Sequence, residues 1–526
     1  MIEIARHRED QAPEKSKWLT YLPVLLIFLP FLILAVIYLK FSLQSIFVRN
    51  DTTYPEGAYV YTFLTALQTG KLYSSPFEFP FNSQLYGPVF YLVGLVFAKV
   101  AHGDAMLTTQ LWRTLSFLSF LGSAGLIGFL SWKLEKTKRW VAVSVVLSLA
   151  CPLAIGLSAS ARPDLLSIFL ILGALTVYEA ARGRTPLIVW AGVLGSLSCL
   201  TKQSTAPILL ALAIDCLIAR RLRNFAALVA AGIPVPAIIF STLWLRHEPF
   251  LPNLFIMKHA VFSWHWMVIT VIDTVRTTQI AVIPISLSLL GAALSWRKER
   301  YRTILLVGAF AWIVNLAALG NTGSGPYYLI LPWLLTVLLM PAGLIRLEEW
   351  SRRSILIPSG LILLGGLLLI HQTNVLIPKL RPDLDTSNLI QVNMLSSNPY
   401  LELHSRRPQL LDPYLYHQLS LQNVWSVAPI LQQIDAEKYD LIVIWGDDGQ
   451  KDSDFQVSGY HGTAHWGADT LGEILSHYRA LCEVPGSLAL VPRDRSGVLD
   501  ESYLSRIFRQ PCRATNRVPR LMPGVR

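Results

Sequence analysis

The sequence predicts a mostly α, polytopic membrane protein of about 11–13 transmembrane helices, with a small extracytoplasmic α/β domain near its C-terminal end. Three observations predict it. Of 526 residues, 53% are hydrophobic and 15% charged, where an average soluble protein carries about 25% charged residues. Apolar runs of about 20 residues, the length that spans a bilayer core, recur between positions 18 and 372. Beyond residue 380 the runs shorten and acidic residues take over. So much apolar surface excludes both a large soluble enzyme and a disordered chain.

Charge follows the same division. Up to residue 380 there are 31 Lys and Arg against 17 Asp and Glu; from 381 to 505 there are 8 against 17; residues 506–526 hold six Arg and no acid. These sum to the net +11 of the chain. The basic residues sit in short clusters between apolar runs, where they set topology, so they are no footprint for nucleic acid.

Taken in order, residues 1–17 form a cytoplasmic N-terminus. The stretch after Lys17 runs to Leu39 without a small-residue cleavage site and reads as a retained anchor. Eleven crossings follow from the length rule: 18–39, 114–132, 140–160, 165–181, 185–201, 203–219, 225–245, 268–296, 303–320, 326–345 and 354–372. With the N-terminus inside, the six basic clusters all fall on the cytoplasmic side. They are Arg6 to Lys17, Lys133 to Arg139, Arg182 to Arg184, Arg220 to Arg223, Arg297 to Arg302 and Arg346 to Arg353. The run Leu85 to Ala98 is too short to span and reads as a helix lying on, or dipping into, the outer face. The stretch 246–276 leaves room for a further helix or two.

The region 381–505 reads as the outer α/β domain. Tyr439-Asp-Leu-Ile-Val-Ile-Trp445 followed by Gly446-Asp-Asp-Gly449 is a strand and turn, Ala428 to Glu437 a helix, Leu471 to Leu481 a helix, and Ser487 to Val491 a strand. Residues 506–526 read as a basic tail that is disordered or lies against anionic lipid. Cys482 and Cys512 pair if this region faces an oxidising compartment, and otherwise stay free thiols. No Cys/His spacing suggests structural zinc.

With this topology the scarce polar residues gather outside. The first outer loop, 41–84, carries Asp51, Tyr54 and Glu56, with Tyr86-Gly-Pro88 just after it; short outer loops carry Arg162-Pro-Asp164, Thr201-Lys-Gln-Ser204 and Tyr327-Tyr328. Ionisable groups cost too much in hydrocarbon to be scattered there. Their common side therefore suggests one site, with cations for a lipid-linked phosphate and a carboxylate to take an acceptor proton. Simpler roles stand beside these: Lys202 as a snorkelling anchor, Arg162 and Asp164 as a mutual pair, the tyrosines as interfacial aromatics, and Glu56 as a helix cap. His259 and His265 read as loop histidines ahead of metal ligands.

Tyr54-Pro-Glu-Gly57, Gly70-Lys-Leu-Tyr73, Tyr86-Gly-Pro88, Ala161-Arg-Pro-Asp-Leu165 and Leu200-Thr-Lys-Gln-Ser204, in this order, resemble the multi-spanning glycosyltransferases of the GT-C fold. The resemblance is to the dolichyl-phosphate-mannose protein mannosyltransferase-like group (glycosyltransferase family 39) and its aminoarabinose transferase-like relatives. It implies inverting transfer of a sugar, a hexose or a pentose, from a polyprenyl-phosphate donor to an acceptor hydroxyl on a glycolipid, polysaccharide or protein. That transfer would occur on the outer face of the cell (inner) membrane. It implies Glu56, with Asp51 second, as the base. Lys202 would contact the donor, Tyr327 or Tyr328 would line its site, and Arg162, Asp164, Tyr86 and Gln203 would bind substrate around them. No cofactor is certain; a divalent metal is left open, with His259 in a loop resembling one that supplies a histidine ligand. Membrane lipids are the other expected partners. The competing class is a transporter or flippase of lipid-linked sugars, against which stands the lack of an internal repeat.

Overall fold

The computed structural model describes residues 15–82, 84–181, 184–256, 262–279, 282–321, 324–351, 380, 382–387, 389–406, 412–445, 466–484, 487–494 and 499–514. The helical domain runs through α1 (Lys15–Ser45), α2 (Glu56–Thr69), α3 (Pro88–Val100), α4 (Ala105–Glu135), α5 (Lys138–Leu149), α6 (Asp164–Ala180), α7 (Thr185–Thr201), α8 (Ala206–Ile218), α9 (Leu222–Gly232), α10 (Pro234–Leu245), α11 (Phe250–Phe255), α12 (Trp264–Thr277), α13 (Val282–Ser295), α14 (Glu299–Ala318), α15 (Ile330–Val337) and α16 (Met340–Ser351). Its largest core joins α1, α4 to α8, α14 and α15 through residues such as Tyr38, Ile127, Trp140, Leu172, Leu212, Tyr301 and Trp333.

Among the described residues, four stretches are long and apolar enough to cross a membrane: Phe28–Ser45, Ala105–Glu135, Leu222–Leu245 and Glu299–Ala318. The other apolar helices are shorter. The run expected at 140–160 is helical only to Leu149, the run at 268–296 divides between α12 and α13, and that at 326–345 divides among a 3-10 turn (Pro326–Leu329), α15 and α16. Prolines stand at or near these breaks, at 152, 284, 326, 332 and 341; each removes a backbone donor and crowds the preceding turn. Hydropathy therefore finds the apolar runs and overstates the length of regular helix in them. The run at 354–372 and the stretch containing His259 lie outside the described residues.

The C-terminal domain is a mixed five-stranded sheet of order β1-β2-β4-β3-β5, built from β1 (Met394–Ser396), β2 (Leu441–Trp445), β3 (Tyr478–Val484), β4 (Ser487–Pro492) and β5 (Arg513–Ala514). β1 and β2 are parallel and the remaining pairs antiparallel. Around it lie α17 (Pro399–Leu403), α18 (Pro413–Leu421), α19 (Ala428–Asp435), α20 (Ala468–His477) and α21 (Glu501–Phe508). The helix expected over Leu471 to Leu481 ends at His477, and Tyr478 begins a strand. Long-range pairing of Tyr478 with Pro492 and of Val484 with Ser487 overrides the local helical pattern there. Order also extends past 505: Leu504, Ile507 and Phe508 are buried, and Cys512 is disulfide-bonded to Cys482 with Cα atoms 5.5 Å apart. Residues 515–526 lie outside the described part.

The first loop is clasped between the two domains. Arg49 N donates to Asp383 Oδ1 (2.8 Å) and Leu384 N to Arg49 O (3.0 Å). Trp425 Nε1 donates to Pro76 O at 2.7 Å, and the Trp425 ring stacks on Phe81 at 4.9 Å between centroids. Gly57 allows the closest approach, since a Cβ there would come within 2.6 Å of the Pro399 backbone.

Two predictions follow from the disulfide. Alkylating the denatured protein without reductant should label three of its five cysteines and, after reduction, all five; five labels without reductant would disprove the bond. Cys512→Ala should lower the stability of the C-terminal domain by about 3–4 kcal/mol, the chain-entropy value for a loop of this size, read as the shift in its denaturation midpoint.

Candidate active site

The polar centre of the helical domain begins with a charge that hydrocarbon cannot hold alone. Arg113 lies within the 31-residue apolar helix α4 and is fully buried. Its Nε donates to Glu56 Oε1 (2.9 Å), its Nη2 to Glu56 Oε2 (2.6 Å) and Asn50 O (2.5 Å), and its Nη1 to Ser45 O (3.0 Å) and Val48 O (2.6 Å). This fork pairs with a carboxylate in the geometry a guanidinium favours and also binds carbonyls at and just beyond the end of α1. Glu56 accepts further bonds from Thr52 N (2.8 Å) and Ala161 N (2.6 Å). It does open α2, where an anion suits the helix dipole. Its side chain is 1% exposed and both oxygens are engaged, an arrangement that holds the first loop in place. Asp51, also buried, receives Gly57 N–H on Oδ1 at 2.9 Å.

The bond from Ala161 N places the next residue, Arg162. Arg162 Nε lies 3.1 Å from Asp164 Oδ2 and Lys202 Nζ 2.5 Å from Asp164 Oδ1. Arg162 Nη1 also donates to Tyr54 O (2.8 Å), and Trp112 Nε1 to Arg162 O (3.2 Å). Asp164 sits in the first turn of α6, and Lys202 terminates α7 in extended conformation (φ −147°) ahead of a 3-10 turn. Tyr327 and Tyr328, in the turn before α15, stack at 5.0 Å; Arg162 lies 4.6 Å from the Tyr327 ring and Lys202 4.3 Å from that of Tyr328. Burial alone would raise the Asp164 carboxyl, but Lys202 and Arg162 outweigh it and hold the group at about 2. Burial would lower Arg162 and Lys202, yet Asp164 keeps both above their ordinary range. Two cations share one anion, so the trio keeps a net positive charge.

Asp164, Lys202, Ser204, Thr205, Asn315, Tyr327 and Tyr328 face a small cavity of about 20 Å³. Beside it an apolar groove of about 690 Å³ runs between α7, α8, α9 and α10, lined by Leu200, Gln203, Leu209, Val229 and Phe240 among others. Gln203 borders the groove and donates from Nε2 to Leu85 O (2.9 Å), which ties the Tyr86-Gly-Pro88 turn to the cation loop. Gly87 is required there, because a Cβ would collide with Leu200 O. Tyr86 is held by hydroxyl contact with Tyr59 (3.2 Å) and by Tyr73 Oη on its carbonyl (2.9 Å).

The sequence-selected residues thus divide. Arg162, Asp164, Lys202, Tyr327 and Tyr328 form one cluster with Tyr86 and Gln203 at its edge; Glu56 and Asp51 belong to the adjoining Arg113 brace. His259 lies outside the described residues. Sequence reasoning missed Arg113, whose signal was a charge inside an apolar helix. It also missed Asn315 on α14 and Asp412, which accepts a hydrogen bond from Tyr54 Oη across the domain boundary.

Removing one partner of the brace strands the other buried charge, so Arg113→Ala and Glu56→Ala should each destabilise the fold by about 3–5 kcal/mol. The double variant should lose less than the sum, as read by denaturation in detergent; additive losses would argue against the pairing. Asp164→Asn should be destabilising too. Because the native carboxyl is depressed, its contribution is complete above the unfolded value near 4 and fades only as pH falls toward about 2. The stability gap between wild type and Asp164→Asn should therefore be constant from about pH 5 to 8 and narrow only in stronger acid.

No family model matches the chain, and no curated protein does. Solved structures do. ArnT from Cupriavidus metallidurans bound to undecaprenyl phosphate superposes with a TM-score of 0.52 at 13% identity, covering 86% of this chain and 97% of that one. The apo state of the same protein gives 0.54, also at 13% identity, with the same coverage. The archaeal oligosaccharyltransferase AglB from Archaeoglobus fulgidus, in complex with an inhibitory peptide and a dolichol-phosphate, gives 0.47 at 12% identity over 93% of this chain and 76% of that one. The likeness to ArnT is a likeness of fold: the chain has the GT-C fold, a polytopic helical membrane domain followed by a small α/β domain.

Proposed function

We propose that this chain is an inverting glycosyltransferase that moves a sugar from a polyprenyl-phosphate donor to an acceptor hydroxyl on the outer face of the membrane. The observation that carries the reading is the pair Arg162 and Lys202, sharing one carboxylate, with Gln203 next to Lys202 lining an apolar groove. A polyprenyl phosphate has this shape: an anionic head that needs more positive charge than Asp164 cancels, and a tail that needs hydrocarbon walls. ArnT, the fold relative, was crystallised with undecaprenyl phosphate, which is consistent with such a donor.

In the reaction the bond between the anomeric carbon and the phosphate oxygen breaks, and its electron pair goes to the phosphate. Arg162 and Lys202 would stabilise that growing charge from a buried position where each hydrogen bond counts for more than in water. The acceptor oxygen attacks from the opposite side, which inverts the centre. Tyr327 and Tyr328 would give the sugar a stacking wall, and Gln203 and Tyr86 would frame the entry from the groove. Asp51 is the candidate to take the acceptor proton; Glu56, fully bonded to Arg113, Thr52 and Ala161, positions the loop that carries it. Orientation rests on two supports: basic clusters between the apolar runs, and the Cys482–Cys512 disulfide, a bond that persists in oxidising compartments. The acceptor is a glycolipid, polysaccharide or protein hydroxyl of the cell envelope.

With a polyprenyl-phosphate sugar as donor, Lys202→Ala should raise the donor KM by about 10- to 100-fold, the value of one charge-assisted bond to phosphate, and Lys202→Arg should recover part of it. An unchanged donor KM in Lys202→Ala would count against the assignment. Asp51→Asn should lower kcat with little change in donor KM; normal turnover would remove Asp51 from proton transfer.

A further inference from the structure

The C-terminal domain carries a second cluster of polar side chains that the proposed reaction does not use. Glu473 and His477 lie four residues apart on one face of α20, and Asp435 is the last residue of α19, which packs beside it. His477 Nε2 is 3.2 Å from Asp435 Oδ1 and 3.2 Å from Glu473 Oε1, and one ligand atom from each of the three residues lies within 4.8 Å of the others. We propose that Asp435, Glu473 and His477 form a binding site for a divalent transition metal, with zinc the best fit, which clips α19 to α20.

Three physical arguments support it. First, two carboxylate oxygens converge on a single nitrogen. A single N–H can at most be shared between them in a bifurcated bond, whereas a dication placed among the three atoms attracts all of them. Second, the spacing suits the ion. Zinc bonds of about 2.0–2.2 Å to nitrogen and oxygen place tetrahedral ligands about 3.3–3.5 Å apart, close to the two separations observed. Third, α19 ends at Asp435 and α20 ends at His477, so the negative ends of two helix dipoles meet at the cluster. That field favours a cation.

The scaffold is suited to hold it. Ile434, beside Asp435, and Leu471 and Ile474, on the Glu473 helix, are fully buried in one core, so the backbones of both helices are fixed by packing. The ligands themselves remain partly open to water, His477 30% and Glu473 37% exposed, which leaves a position for a water ligand. One imidazole and two carboxylates favour zinc over calcium or magnesium, which take oxygen alone. The site would brace the outer domain and is built from residues separate from the Asp164 cluster.

The test uses the full-length protein in detergent, stripped with chelator and re-equilibrated with zinc alone. Wild type should retain one zinc per chain more than His477→Ala and more than Asp435→Asn, and a folded His259→Ala control should keep that zinc. Cobalt in place of zinc should give visible absorption bands in the wild type that both ligand variants lose. Added zinc should raise the melting temperature of the wild type and not that of the variants. Asp435 is 68% exposed, so Asp435→Asn folds even if His477→Ala does not. Equal zinc content, equal cobalt spectra or an equal zinc-induced melting shift in wild type and Asp435→Asn would overturn the site.

Discussion

The structure depends on one buried guanidinium. Arg113 sits in an apolar helix where an unpaired charge would cost several kcal/mol, and the chain answers by folding its first loop onto it. Carbonyls of Ser45, Val48 and Asn50 and both oxygens of Glu56 converge on that one side chain. Because Glu56 also takes the amide of Ala161, the brace sets the position of Arg162. From there Asp164, Lys202 and the stacked tyrosines follow. An electrostatic necessity in one helix thus becomes the geometry of the neighbouring cluster.

The same economy lets the site carry a net positive charge without unfolding. Asp164 is shared by two cations and kept ionised by them, so neither cation is isolated, yet one positive charge is left uncompensated. Charge at that point, beside a groove of Leu, Val, Ala and Phe, is chemistry for an amphiphile with an anionic head. The C-terminal domain contributes to the same region by pressing on the first loop through Pro399, Asn398 and Trp425 and by reaching Tyr54 with Asp412.

Much of this was legible in the sequence, for a physical reason. In a chain with so few charges each one is conspicuous, and Arg162, Asp164, Lys202, Tyr327 and Tyr328 stand out because a polar loop between two apolar runs must meet water, a partner charge or a ligand. Strand β2 and helix α19 were legible through local pattern. Contacts with distant partners were not legible. Glu56 looks like a base when its neighbours in sequence are considered and like a brace once Arg113, 57 residues away, is in view. β3 reads as the end of a helix until β4 pairs with it. Helix breaks inside apolar runs are set by proline and tertiary packing, to which hydropathy is blind.

The central claim is that the Arg162–Asp164–Lys202 cluster holds the phosphate of a lipid whose tail occupies the adjoining groove. Native mass spectrometry of the gently solubilised protein tests it most directly. The account predicts a bound polyprenyl phosphate or its glycosylated form on the wild type, lost when Arg162 and Lys202 are both replaced by Gln in a protein that stays folded. Bound lipid consisting only of ordinary phospholipid, or a polyprenyl phosphate retained equally by that variant, would contradict it.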